Sequence, residues 1–149
     1  MPARDLLQPI VRRALEREGW EITDDPFRLV VGRRSMYVDL GAEQLLAATR
    51  GSVRIAVEVK SFVGTSEIAD LESALGQFSL YERVLRKNHP ERTLWLAVPS
   101  RVWAGLFREA LGELLLADGD LRILVVEPTL EIIEQWIPSP PGATLSSKS

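Results

Sequence analysis

Three apolar runs in the second part of the chain constrain its fold more than any other feature. They are "VRIAVEVK" (53–60), "TLWLAVP" (93–99) and "LRILVVE" (121–127), each rich in β-branched or bulky side chains. Between the first two, Ile68, Leu71, Leu75 and Phe78 recur every three or four residues, which is the period of a helix. Thr65-Ser66 followed by Glu67 supplies an N-cap hydroxyl and a first-turn acid, and Pro90 closes the segment near Asn88. A continuous apolar run such as 93–99 suits a buried strand, and strands joined by a long helix suit a parallel crossover. "VWAGLFREALGELLL" (102–116) is a helical stretch, read in two pieces around Gly112, that leads to the third run. "LEIIEQWI" (130–137) reads as either a last strand or a short helix.

The first part of the chain has a different rhythm. Leu7, Ile10, Val11, Ala14 and Leu15 place a helix over roughly 3–18, stopped by Gly19, and Pro9 either starts it or bends it. "WEIT" (20–23) reads as a short strand and Asp24-Asp25-Pro26 as a turn. "FRLVV" (27–31), the turn Gly32-Arg33-Arg34 and "SMYVDL" (35–40) read as a meander ended by Gly41. "AEQLLAATRGS" then leads through Arg50-Gly51-Ser52 into the run at 53–60. The order α, β-meander, α, β, α, β predicts a layered α/β domain whose sheet is antiparallel on one side and parallel on the other. Its 149 residues fit one domain over 1–137, with "PSPPGATLSSKS" (138–149) as a flexible tail.

Composition removes several chemistries. The chain has no cysteine, so disulfides, thiolate zinc sites and cysteine nucleophiles are excluded together, in keeping with a cytoplasmic location. Its single histidine, His89, lies in the turn "RKNHPER". Any metal site must therefore be built from carboxylates, whose hard oxygens favour Mg²⁺, Mn²⁺ or Ca²⁺ over zinc. A net charge of −3 is not that of a protein that holds nucleic acid by bulk electrostatics. Arg12-Arg13, Arg33-Arg34 and Arg83 with Arg86-Lys87 form local clusters that must converge in space to serve DNA. No apolar run approaches the roughly 18–20 residues of a membrane span, and the N-terminus lacks the pattern of a secretory signal.

Within "RIAVEVKSF" (54–62), alternation sends Ile55, Val57 and Val59 to one face and Ala56, Glu58 and Lys60 to the other. Alone, the acid and base make an exposed pair worth a few tenths of a kcal/mol, about the value of an ordinary surface ion pair. Their surroundings suggest more. "YVDLG" places Asp39 near the end of the preceding strand, where a hairpin partner brings its carboxylate beside Glu58. Gln77 and Tyr81, four residues apart, share one face of the following helix with Ala74 and Val84. No phosphate-binding glycine loop, Ser/His/Asp set or dinucleotide fingerprint competes with this group. Asp39 and Glu58 can each give an oxygen to Mg²⁺ or Mn²⁺, joined by the Val59 carbonyl and waters. Lys60 can then orient the attacking water or stabilise charge on a phosphoryl oxygen.

Asp39 followed by Glu58-Val59-Lys60, on strands between two helices, resembles the PD-(D/E)xK nuclease superfamily, with Val38 standing where the name motif has proline. Gln77-x-x-x-Tyr81 resembles the Q-x-x-x-Y element of several branches of that superfamily. Over nearly the whole chain, "MPARDLLQPIVRRALEREGWEIT", "YVDLGAE", "IAVEVKSF", "ALGQFSLYERVL" and "LWLAVP" resemble the XisH family, the fdxN element excision controlling factors of cyanobacteria. The resemblance implies a restriction-endonuclease-like, three-layer α/β/α fold with a mixed central sheet. It also implies a link to programmed DNA excision beside a small XisI-like partner protein.

Two functions follow from it. One is a metal-dependent DNA endonuclease or nicking enzyme: Asp39 and Glu58 bind Mg²⁺ or Mn²⁺, Lys60 assists the water, and Gln77 with Tyr81 orients the nucleic acid. Glu16 and Glu43 are further carboxylates considered for that site. The other is a non-catalytic accessory factor that binds DNA or a protein and controls a recombinase, relying on a partner or on self-association into a homo-oligomer.

Overall fold

The helical crossovers and the apolar strands form the frame on which everything else is hung. The computed structural model describes residues 6–46 and 51–142. Strand β5 (Gly51–Val59), helix α2 (Glu67–Asn88), strand β6 (Arg92–Pro99) and strand β7 (Ile123–Glu127) follow the expected order, and both β5–β6 and β6–β7 are parallel pairs. Ser66 caps α2, its hydroxyl accepting from the Ala69 amide at 3.1 Å, while Glu67 and Asp70 occupy the first turn and Arg86 and Lys87 the last. Each of these placements favours the helix dipole.

The remaining strands extend the sheet outward from this parallel centre. On one side lie β1 (Glu21–Asp24) and β4 (Leu40–Leu46), on the other β8 (Ile132–Ile137), giving the order β1-β4-β5-β6-β7-β8 with antiparallel outer pairs. The segment at 130–137, open between strand and helix in the sequence, is thus a strand. Helix α1 (Leu7–Arg17) covers one face, packing Val11, Ala14 and Leu15 on Ile55, Val57, Trp95 and Ala97. Trp20, Trp95 and Trp136 close that layer, with ring centroids 5.7 Å apart for Trp20–Trp136 and 4.9 Å for Trp95–Trp136. Pro9 sits in the first turn of α1, where its missing N–H forfeits no intrahelical bond. The other face is covered by α2, by α3 (Ser100–Ala104), by a 3₁₀ turn (Leu106–Arg108) and by α4 (Ala110–Leu116). The result is the expected three-layer α/β/α fold with a mixed central sheet.

Three local readings are corrected. The strands at 27–31 and 34–38 do not join the main sheet; β2 (Phe27–Val31) and β3 (Arg34–Val38) pair only with each other, as a hairpin against α2. Gly41 does not end a strand but lies inside β4. A Cβ there would sit 2.9 Å from Asp24 Oδ1 and 3.0 Å from Arg92 Nη1, the ends of side chains that pack against this glycine. Arg92 donates to the Ile55 carbonyl at 2.8 Å and lies 4.5 Å over the Phe27 ring, tying the sheet to the hairpin. Likewise Gly112 does not divide the segment at 102–116. The breaks come at Gly105 and Glu109, and Gly112 is a buried residue of α4 packed on the Phe107 backbone. The start of the helix at 3–5, the connection at 47–50 and the tail at 143–149 lie outside the described residues.

Candidate functional site

The β4–β5 register dictates the centre of the site. Leu40 pairs with Val57, so Asp39, in the one-residue joint between β3 and β4, falls opposite Glu58 near the C-terminal end of β5. Two hydrogen bonds tie the joint to the end of β5. The Asp39 amide donates to Glu58 Oε1 at 3.3 Å, and the Val59 amide donates to Asp39 Oδ2 at 2.8 Å. Glu58 is only 8% exposed and, with Gln8, is one of two buried polar residues among those described. Its carboxyl is pushed up from the ordinary value to about 8, chiefly by burial and next by the charge of Asp39; the nearby Lys60 ammonium acts in the opposite sense. Such a pair is electrostatically costly in the absence of a cation.

Helix α2 roofs this pair. Ala56 and Glu58 face α2, and Tyr81 on its inner side is buried. The Tyr81 hydroxyl is pushed up by burial and then by the charges of Glu58 and Asp39, which locates it within their field. Gln77, one turn earlier, is half-buried and its side chain makes no hydrogen bond among the described residues. Lys60 follows the last residue of β5, its amide donating to the Ala97 carbonyl at 2.9 Å. Its side chain lines a mostly apolar cavity of about 560 Å³ with Leu7, Ile10, Phe62, Pro99 and Arg101.

The structure therefore brings together Asp39, Glu58, Lys60 and Tyr81, with Gln77 one helical turn away. It does not bring in Glu16 or Glu43. Glu16 is on α1, across the sheet, 3.5 Å from Arg12; Glu43 lies within β4, 3.4 Å from Arg54. No three Asp, Glu, His or Cys side chains converge among the described residues. The donor set is thus two carboxylates, which fits a hard cation such as Mg²⁺ that keeps several waters.

Arg101, on α3, was not foreseen. Its guanidinium donates to the Ser61 carbonyl at 2.5 Å and to the Phe62 carbonyl at 3.2 Å, and Phe62 is held at a left-handed φ of 57° with its ring buried. The segment that follows Lys60 is thereby pinned to the next βα junction. Nothing in the sequence around Arg101 signals this, because the contact spans about forty residues and goes to backbone.

Comparison with known proteins agrees with this architecture. The family described as XisH protein matches residues 1–134. The chain belongs to the XisH family. It is similar in structure to an XisH family protein from Nostoc punctiforme PCC 73102, with 37% identity and a TM-score of 0.80, covering 89% of this chain and 99% of that one. It is also similar to an fdxN element excision controlling factor protein from Anabaena variabilis, with 38% identity and a TM-score of 0.80, covering 90% of this chain and 99% of the other. No curated protein matches the chain. Among the described residues of this XisH chain, no helix is long and apolar enough to cross a membrane.

Proposed function

We propose that this XisH chain acts in the control of DNA element excision as a divalent-metal-dependent endonuclease that hydrolyses phosphodiester bonds. The observation that carries the reading is the adjacent Asp39–Glu58 pair, in which a buried carboxyl lies beside a second carboxylate with an ammonium close by. Bound there, Mg²⁺ or Mn²⁺ would supply Lewis-acid polarisation of a phosphoryl oxygen and a more acidic water. Asp39 and Glu58 hold the cation, and the Val59 amide fixes the Asp39 carboxylate in place. Lys60 stabilises negative charge developing on the phosphoryl group, held in position by the Arg101 contact to the two residues that follow it. Tyr81, with Gln77, orients the sugar-phosphate backbone from α2.

A second reading has its own support. Two carboxylates with no third acidic, histidine or cysteine side chain beside them among the described residues suit a site that binds weakly, and an accessory factor acting beside an XisI-like protein and a recombinase needs no turnover. Incubation with supercoiled plasmid and Mn²⁺ separates the two. The nuclease reading expects nicking by the wild type and none by Glu58→Ala; equal conversion by both proteins would sink it. Absence of nicking together with co-purification of an XisI-like protein would favour the accessory role.

A further inference from the structure

The β2–β3 hairpin is not used by the chemistry above, yet its charge is out of keeping with the chain. Residues 27–38 carry three arginines and no acid, in a protein of net charge −3. Six arginines elsewhere in the described residues, Arg92 and Arg122 among them, lie against carboxylates. Arg28, Arg33 and Arg34 have no such partner among the described residues; the one polar side-chain contact of Arg28 is the Ser35 hydroxyl, at 3.0 Å.

The hairpin is also anchored to the core and well placed. Phe27, Leu29 and Val38 on its inner face are buried in the core beneath α2, and Asn88 Nδ2 donates to the Val30 carbonyl at 3.0 Å. Gly32, at φ 58°, makes the tight turn that presents Arg33 and Arg34 at the tip. On the outer face Arg28 stands directly across from Tyr37, which is 52% exposed. Strand β3 ends at Val38, and the next residue is Asp39. At about 3.3 Å per residue, Tyr37 stands roughly 7 Å and Arg34 roughly 17 Å along the chain from Asp39. Duplex DNA advances about 3.4 Å per base pair, so a hairpin laid along the duplex axis would reach some two to five base pairs from the site.

We propose that the outer face and the exposed tip of this hairpin form an arm for the sugar-phosphate backbone of duplex DNA, seating the strand beside the Asp39–Glu58 site. The arm rests on the reading of that site as one that acts on DNA. Cationic guanidinium groups without carboxylate partners complement phosphate, and an exposed tyrosine beside them packs on the sugar edge. The arm supplies affinity rather than sequence recognition, since its contacts are to backbone.

The test is fluorescence anisotropy of a labelled duplex across a salt series, with Ca²⁺ present to support binding. Wild type, Arg28→Gln and the double variant Arg33→Gln/Arg34→Gln are compared. All three positions are exposed, so the melting profiles serve as a check that folding is unchanged. The slope of log K against log salt should fall by about 1 in the single variant and about 2 in the double one, whatever the duplex sequence. Equal slopes and affinities in all three proteins would overturn the arm. So would failure of the wild type to bind duplex, which would leave the face to a protein partner. Binding that depends on the arginines without plasmid nicking would instead defeat the nuclease reading and leave the arm standing.

Discussion

Replacing Glu58 by glutamine should stabilise the protein at alkaline pH. The amide keeps an oxygen to accept from the Asp39 N–H and has nearly the same volume, so packing is retained while the buried charge is removed. The carboxyl of Glu58 stands at about 8 in the fold against 4.5 ordinarily, so folding takes up a proton throughout that window. The folded state then binds more protons than the unfolded one, and stability falls as pH rises from about 4.5 to about 8. With about 1.4 kcal/mol for each unit, the full cost above that window is on the order of 5 kcal/mol. Glutamine escapes it. Urea unfolding should therefore show the variant more stable by that order near pH 9, with a melting point raised by roughly 10–20 °C, and nearly equal to wild type near pH 4. A variant no more stable than wild type near pH 9 would refute the claim that this carboxyl is held in the fold at an electrostatic cost.

Two further substitutions test the packing that positions the site. Gly112→Ala would stabilise an exposed helix by about 1 kcal/mol on propensity alone, but its methyl group would collide with the Phe107 backbone. Chemical denaturation should instead show a loss of about 3 kcal/mol, and a net gain would show that the 3₁₀ turn yields freely. Arg92→Met keeps the apolar stem but abandons the bond to the Ile55 carbonyl and the contact with the Phe27 ring. It should cost about 2–4 kcal/mol in the same assay, and a loss below half a kcal/mol would mean the guanidinium is not what joins sheet to hairpin.

The parts of this architecture written in local periodicity were legible in the sequence. The helix at 67–88 announces itself through Ser66, its acidic first turn and its three-to-four spacing, and the strands at 93–99 and 121–127 through uninterrupted apolar side chains. Once 53–60 is a strand, the shared face of Ala56 and Glu58 follows from alternation alone. What the sequence concealed depends on contacts between distant residues. Gly41 and Gly112 look like punctuation, yet each lies inside an element with something packed against it: the Asp24 and Arg92 side chains in one case, the Phe107 backbone in the other. The division of the meander into a hairpin and a sheet strand turns on the joint at Asp39, a residue type disfavoured in strands, but its single-residue break says nothing of which strands pair. The Arg101 bonds to the Ser61 and Phe62 carbonyls are similarly silent, because backbone acceptors carry no sequence signature. At the candidate site, the proximity of Asp39, Glu58 and Lys60 was legible in residue type and spacing. Glu16 and Glu43 were candidates by type alone, and ion pairs with Arg12 and Arg54 occupy them elsewhere.

The central claim is that Asp39 and Glu58 form a divalent-cation site, and calorimetric titration with Mn²⁺ in two buffers of different ionisation enthalpy tests it most directly. Glu58 carries its proton near neutral pH, so binding should expel about one proton per ion, read from the difference between the two buffers. Glu58→Gln should abolish that release and weaken binding by about tenfold or more. Absence of uptake by the wild type at about millimolar Mn²⁺, or equal affinity in the two proteins, would contradict the account.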